Sequence, residues 1–96
     1  MIGLVAVLKI KPGMEENVAN SCIKMAREVR AKEAECLIYD PYVPADGAPE
    51  VVILEKYTSL EALEEHRKTP HYLELRKAIQ DALSEPPQIT ILKSIE

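Results

Sequence analysis

The chain has 96 residues, a formal net charge of −4 and 47% hydrophobic residues, with four tyrosines but no tryptophan or phenylalanine. The acidic balance argues against nucleic acid as a partner, because that partner requires a clustered basic surface. No apolar run approaches the roughly 18 residues of a membrane span, and no basic leader opens the chain, so a cytoplasmic protein without a membrane partner is predicted. The length indicates one domain over residues 1–96, and its aliphatic core favours oligomerisation.

Hydrophobic periodicity predicts the order of the secondary-structure elements. In chain order these are a strand, a helix, two strands joined by a hairpin loop, a helix split in two, and a last strand, over residues 2–10, 14–32, 35–42, 50–57, 58–85 and 88–95. The first and third strands are apolar on both faces, so both of their faces require cover.

Alternation of side chains predicts which residues of the second strand share a face. Leu37 and Tyr39 are expected on one face, and Cys36 and Ile38 on the other, with Pro41 and Pro44 closing the strand. Cys22 and Cys36 lie in different elements and match no metal-ligand spacing. They are therefore predicted to be reduced, buried hydrophobic residues, since a disulfide is not expected in the cytosol.

Two capping signals divide the second helical region. Thr58 and Glu61 have the spacing of a capping box, and Leu60 is assigned to the apolar side of the short helix that follows. Thr69 is predicted to cap the next helix, and Pro70 to occupy its first position.

The order βαββαβ predicts a ferredoxin-like α+β fold. Right-handed crossovers would place both helical regions on one face of an antiparallel sheet. The other sheet face would then be bare although its residues are apolar, and such a face implies a partner. We therefore expect a homodimer in which two sheets pack face to face as a dimeric α+β barrel.

Several blocks of sequence resemble the antibiotic biosynthesis monooxygenase family, small dimeric α+β barrels that include quinol monooxygenases. The blocks are Lys11-Pro12-Gly13, Cys36-Leu37-Ile38-Tyr39-Asp40, Leu54-Glu55-Lys56-Tyr57-Thr58-Ser59, and His66 with Thr69-Pro70-His71. The chain departs from the family pattern where Tyr57 replaces a common tryptophan and where Glu33-Ala34-Glu35 replaces Glu-Pro-Gly. A haem-degrading branch has a ligating histidine at the position of Arg76, so haem degradation is not implied.

The resemblance implies an enzyme that oxidises a small aromatic or quinol-type molecule with dioxygen and needs no cofactor. Two alternatives stay open. One branch with a similar Thr-Pro-His-Tyr segment isomerises a phosphorylated, sugar-like hydroxy-ketone signal molecule. A dimeric small-molecule-binding or stress-response domain without catalysis is the other.

The catalytic candidates are His66 and Glu55. His66 leans towards the core side of the short helix, where a neutral imidazole can take a proton from a phenolic hydroxyl; alternatively it only closes the helix C-terminus. Glu55 is an acid on an apolar strand face, so it is either paired for structural reasons or catalytic. The hypothesis makes His66 the base, and Glu55 its orienter or a second proton acceptor.

Four further residues are candidates for substrate binding, namely Tyr39, Tyr57, His71 and Tyr72. The tyrosines either line an aromatic pocket or form the edge of the core. The two histidines also suggest a metal pair, but a proline separates them at a poor spacing and no third ligand is evident. No metal site is predicted.

Overall fold

The computed structural model describes residues 1–96 and contains four strands and three α-helices. In chain order they are β1 Ile2–Lys9, α1 Glu15–Lys32, β2 Cys36–Tyr42, β3 Glu50–Tyr57, α2 Leu60–His66, α3 Pro70–Ile79 and β4 Gln88–Lys93, with a short 3₁₀ turn at Gln80–Ala82 before β4. No helix is both long enough and apolar enough to cross a membrane.

The four strands form one antiparallel sheet in the order β2-β3-β1-β4. β1 lies in the middle, where Leu4 pairs with Glu55 of β3 and with Ile91 of β4. Directly paired residues of antiparallel strands point to the same face. Alternate residues of β1 and β3 are buried under the helices, which confirms the predicted ferredoxin-like α+β fold.

The apolar stripe of α1 forms the centre of the core against the sheet. Its buried members are Val18, Cys22, Met25, Ala26 and Val29, as the helical spacing predicts. Each fully buried aliphatic side chain of this kind contributes about 1.5–3 kcal/mol relative to an exposed one. α1 therefore anchors the helical layer, and its C-terminal end determines where the following segment meets α2 and α3.

A β-bulge changes the faces of β2 from those predicted. The pairing with β3 shifts between Cys36 and Ile38, so Leu37 is an extra residue in the ladder. Cys36 and Tyr39 therefore both contact the core, whereas Leu37 and Ile38 are exposed. The predicted grouping of Leu37 with Tyr39 is wrong, because strict alternation fails at a bulge. The strand ends at Tyr42 as predicted, shortly before Pro44, but Pro41 lies within it, because an edge strand tolerates proline.

The short helix α2 begins one residue later than predicted. The Thr58 amide donates to the Glu35 carbonyl at 3.0 Å, so Thr58, the residue after β3, is still tied to the segment that leads into β2. Ser59 is consequently the N-cap, and its side chain accepts from the Ala62 amide at 3.2 Å. Leu60 is 47% exposed, so its assignment to the apolar side is also wrong. The buried side of α2 is formed by Ala62, Leu63 and His66.

The start of α3 agrees with the sequence. Thr69 has an extended backbone, and its hydroxyl oxygen accepts from the Tyr72 amide at 3.2 Å. Pro70 occupies the first turn, where a missing N–H costs no helical hydrogen bond. Thr69 also donates from its hydroxyl to the His66 carbonyl at 2.7 Å. This residue therefore joins the end of α2 to the start of α3 and holds the two histidine-bearing segments together.

The sheet face opposite the helices is largely apolar and is uncovered within the chain. By the strand register its apolar residues are Val5, Val7, Ile38, Tyr42, Val52, Leu54 and Leu92, and its polar ones are Asp40, Lys56, Gln88 and Thr90. β4 is exposed along its whole length, and it ends at Lys93, before the predicted end at Ile95. Aliphatic surface of this extent is unusual on a small monomer.

We predict slow labelling of both thiols in the native protein. Both cysteines are free; Cys22 is buried as predicted, whereas Cys36 is only partly buried, and desolvation raises the pKa of each to about 11. The reactive thiolate fraction at pH 7.5 is then on the order of 10⁻³ or less. Ellman's reagent should react slowly in buffer and rapidly with both thiols in urea. Rapid reaction of the native protein at neutral pH would contradict this assignment.

Candidate functional site

The polar residues buried among the helices converge where β3 leads into α2 and α3. Glu55 and Tyr57 lie on the helix-facing side of β3, and His66 is the last residue of α2. His71 and Tyr72 occupy the first turn of α3. Because Thr69 holds the two helices together, one short segment contributes most of the candidate site.

His66 lies in a shell of aromatic rings. Only 2% of the residue is exposed, and its ring centroid lies 5.6 Å from that of Tyr39, 5.4 Å from Tyr57 and 5.2 Å from Tyr72. Burial lowers the pKa of His66, against the opposing effect of the nearby Glu33 carboxylate. His66 is therefore neutral at pH 7, the form in which an imidazole can accept a proton.

The Glu33 carboxylate joins the two histidines. Nδ1 of His66 lies 2.9 Å from Oε1 of Glu33, and Nε2 of His71 lies 2.5 Å from its Oε2. An ionised carboxylate only accepts hydrogen bonds, so these ring nitrogens carry the protons. Glu33 caps the C-terminal end of α1. Sequence reasoning missed this residue, and the signal that could have found it is that Glu33 keeps the glutamate of the family's Glu-Pro-Gly, whereas Ala34 and Glu35 depart from it.

The second ring nitrogen of His66 is free. Nε2 makes no hydrogen bond within the chain. Every fully buried side-chain nitrogen or oxygen has a hydrogen-bond partner, so Nε2 is not fully buried. This atom therefore keeps some contact with solvent. With its proton held on Nδ1 by Glu33, His66 presents an unshared electron pair at Nε2. This is the arrangement of a carboxylate-oriented general base.

Glu55 bonds to Tyr57 and not to His66. The Tyr57 hydroxyl donates to Oε1 of Glu55 at 2.5 Å within the core. Burial raises the pKa of Glu55 to about 7, although the hydrogen bond from Tyr57 acts in the opposite direction. Burial and the Glu55 charge also raise the pKa of Tyr57. Glu33 thus occupies the orienting position on His66 that the sequence analysis gave to Glu55.

Two cavities open on either side of the Glu33 bridge. A cavity of about 560 Å³ lies between α1 and α3, where Glu33 and His71 form part of its wall. A smaller cavity of about 280 Å³ is lined by residues that include Glu33, Cys36 and His66. Ligand pockets in proteins typically span 300–1,000 Å³, so the larger one has room for a small aromatic molecule. His66 lines only the smaller cavity, whose volume is just below that range, whereas the larger cavity meets the cluster at Glu33 and His71.

The bridge also forms a donor set for a metal ion. Glu33, His66 and His71 each offer one ligand atom, and these atoms lie within 4.8 Å of one another. The sequence analysis found no third ligand because Glu33 precedes the histidine segment by more than thirty residues. Only folding brings the three donors together.

Comparison with known proteins agrees with this architecture. The family model described as antibiotic biosynthesis monooxygenase matches residues 1–78 of the chain. The chain belongs to the antibiotic biosynthesis monooxygenase family. The resemblance carried by the sequence blocks is thereby confirmed.

Relatives in this family cover nearly the whole fold. The chain is 40% identical over 72 residues to the Mycobacterium tuberculosis protein named "Putative monooxygenase Rv0793", a match that covers 75% of this chain and 69% of the relative. The structure of Rv0793 aligns with a TM-score of 0.91 at 33% identity and covers 99% of this chain and 95% of its own. A Caulobacter crescentus protein described as a putative antibiotic biosynthesis monooxygenase aligns with a TM-score of 0.93 at 28% identity, covering 99% and 90% of the two chains.

Proposed function

We propose that this protein is a monooxygenase that oxidises a small phenolic or quinol-type molecule with dioxygen and without a resident flavin or metal. The observation that carries the proposal is the neutral, buried His66, whose Nδ1 is bonded to Glu33 and whose Nε2 is free. Family membership supports oxygenase chemistry in general. The geometry adds a base suited to activating an acidic hydroxyl group.

In the proposed reaction, Nε2 of His66 removes the proton of a phenolic hydroxyl. The Glu33 carboxylate stabilises the imidazolium that forms, so proton transfer does not leave an unpaired buried charge. The resulting phenolate is electron-rich enough to reduce dioxygen. For a hydroquinone the balance is one quinol and one dioxygen giving one hydroxyquinone and one water, with the quinol supplying four electrons and one oxygen atom entering the ring.

The tyrosines do not suit proton abstraction. Burial raises the pKa of both Tyr39 and Tyr57, so these hydroxyls stay protonated near neutral pH. A protonated tyrosine can donate a hydrogen bond, as Tyr57 does to Glu55, but it does not act as a base. Tyr72 accepts from Arg76 at 2.9 Å at the edge of the shell. Tyr57 is fully buried, its hydroxyl is bonded to Glu55, and none of the three tyrosines lines either of the two cavities. Of the predicted contact residues only His71 lies on a cavity wall, so we assign His71 to substrate contact and the tyrosines to the shell that positions His66.

Oxygen uptake with a panel of substituted hydroquinones tests the proposal. We expect dioxygen consumption at a one-to-one ratio with substrate and a hydroxyquinone product in protein stripped of metal by chelator. Turnover of a hydroxy-ketone without oxygen would instead support an isomerase. Ligand-induced thermal stabilisation without any turnover would support a binding domain.

We also propose that the protein is a homodimer whose two bare sheet faces pack together. Sedimentation equilibrium at micromolar concentration should give twice the monomer mass of 10.8 kDa. Leu54 is 40% exposed on this face and is expected to lie in the dimer interface. An aspartate at this position would place an unpaired charge in that interface. Leu54→Asp is expected to give monomer, whereas Leu73→Asp on exposed α3 surface should leave the mass unchanged. A stable wild-type monomer would refute the face-to-face packing.

A further inference from the structure

We propose that Glu33, His66 and His71 form a binding site for a divalent first-row transition-metal ion, and that the bound ion inhibits the protein. Three separate parts of the fold supply the donors, which are the C-terminal end of α1, the last residue of α2 and the first turn of α3. All three residues are largely shielded, with side chains 12%, 2% and 10% exposed in that order. Two imidazoles and one carboxylate are a donor set that zinc, cobalt and copper prefer.

The present spacing requires only a small contraction. The three donor atoms lie within 4.8 Å of one another. Bonds of about 2.1 Å to a metal place neighbouring donor atoms roughly 3–3.5 Å apart. Glu33 already contacts both rings at 2.9 and 2.5 Å, so the two histidine nitrogens have to approach each other by about 1.3–1.8 Å at most. His71 stands on the wall of the larger cavity, where its ring has space to rotate.

The site would leave coordination positions open. Three protein ligands do not saturate a tetrahedral or octahedral ion, and the remaining positions are normally filled by water. Cavities adjoin the cluster on both sides, with Glu33 lining each of them. Water and a hydrated ion can therefore reach the cluster without opening of the core.

Inhibition follows from the tautomer of His66, and this part rests on the proposed function. A neutral imidazole holds one proton, which lies on Nδ1 in the hydrogen bond to Glu33. An ion bound at Nδ1 requires that proton on Nε2 instead. Nε2 then donates and no longer accepts a proton, so the ion and the proposed base cannot use His66 together. Metal occupancy should switch oxidation off.

Binding is tested first, without substrate. We would titrate the native chain with Co²⁺, following visible d–d absorption, and with Zn²⁺, following heat. The chain has only two histidines, so any imidazole coordination belongs to this cluster. We expect one ion per chain, and binding weakened at least 100-fold by His71→Ala or Glu33→Gln, since loss even of outer partners costs 10–100-fold.

Two control variants separate this cluster from other ligands. Cys36→Ala removes the thiol in the smaller cavity, and Glu65→Gln removes a carboxylate that is 75% exposed beside it. Both should bind Co²⁺ like the wild type. Absence of binding by wild type, or equal binding by wild type, His71→Ala and Glu33→Gln, would overturn the site. Because this titration needs no substrate, it stands even if no quinol is oxidised.

Inhibition is tested on any quinol that the metal-free protein oxidises. One equivalent of Zn²⁺ should abolish oxygen uptake, and chelator should restore it. His71→Ala should lose this sensitivity relative to its own metal-free rate. Tight binding with an unchanged rate would overturn the inhibitory role while leaving the site. A rate increased by Zn²⁺ would overturn both the inhibition and the metal-free function proposed above.

Discussion

Replacement of His66 by alanine is expected to lower turnover of an oxidised quinol by about 10²–10⁴-fold, the usual range for a lost general base. His66 is the neutral imidazole among the tyrosines, and its free Nε2 is the proposed proton acceptor. The value of kcat should fall much more than KM rises, because the base acts mainly in the transition state. Initial rates of oxygen uptake over a range of substrate concentrations measure both constants.

A second substitution separates the loss of basicity from the loss of structure. His66→Asn keeps an N–H that can donate to Glu33 but offers no basic nitrogen. It should therefore be as inactive as His66→Ala while retaining more thermal stability. Thermal unfolding of the same samples shows whether the core is intact. Full oxygen consumption by His66→Ala would show that the base is wrong, and His71 would be the next candidate.

Glu55→Gln is expected to stabilise the protein at alkaline pH by about 3 kcal/mol. Burial raises the pKa of Glu55 to about 7 from an ordinary 4.5. One pKa unit between the folded and unfolded states corresponds to about 1.4 kcal/mol, so this difference in pKa corresponds to about 3 kcal/mol of stability. The folded protein holds the proton more tightly than the unfolded chain. Stability from this group is therefore fully present below pH 4.5 and is lost as the pH rises through 7. Glutamine stays neutral and accepts the Tyr57 hydrogen bond, so the variant does not lose this stability as the pH rises.

The free energy of unfolding in urea at several pH values measures this effect. The difference between Glu55→Gln and wild type should be near zero at pH 4.5, grow up to pH 7 and level off above it. His66 titrates in both proteins, so its contribution cancels in the difference. Glu65→Gln, at an exposed acid on α2, should show no such growth. A difference independent of pH would contradict the raised pKa of Glu55. If Glu55 is also a second proton acceptor, Glu55→Gln should lower turnover.

Local signals predicted the fold well. The strand over Glu50–Tyr57, the buried stripe of α1 and the Thr69 cap all follow from patterns within a few residues. The errors arose where a distant partner overrides the local pattern. Thr58 resembles a cap by spacing alone, yet its amide is bonded to the Glu35 carbonyl, and Ser59 caps the helix instead. Leu37 departs from strict alternation because it is the extra residue of the bulge that shifts the register against β3.

The candidate site was predicted only in part, for a related reason. The sequence by itself determined that His66, His71, Tyr57 and Tyr72 lie close together, since a capped break between two short helices keeps one segment compact. Only the tertiary structure decided which acid meets which imidazole. Glu55 is nearer in sequence, but its strand position turns it to Tyr57, whereas packing of α1 brings Glu33 to both histidines. A hydrogen bond depends on distances of a few tenths of an ångström between side chains of different elements, and no periodicity in the chain encodes such distances.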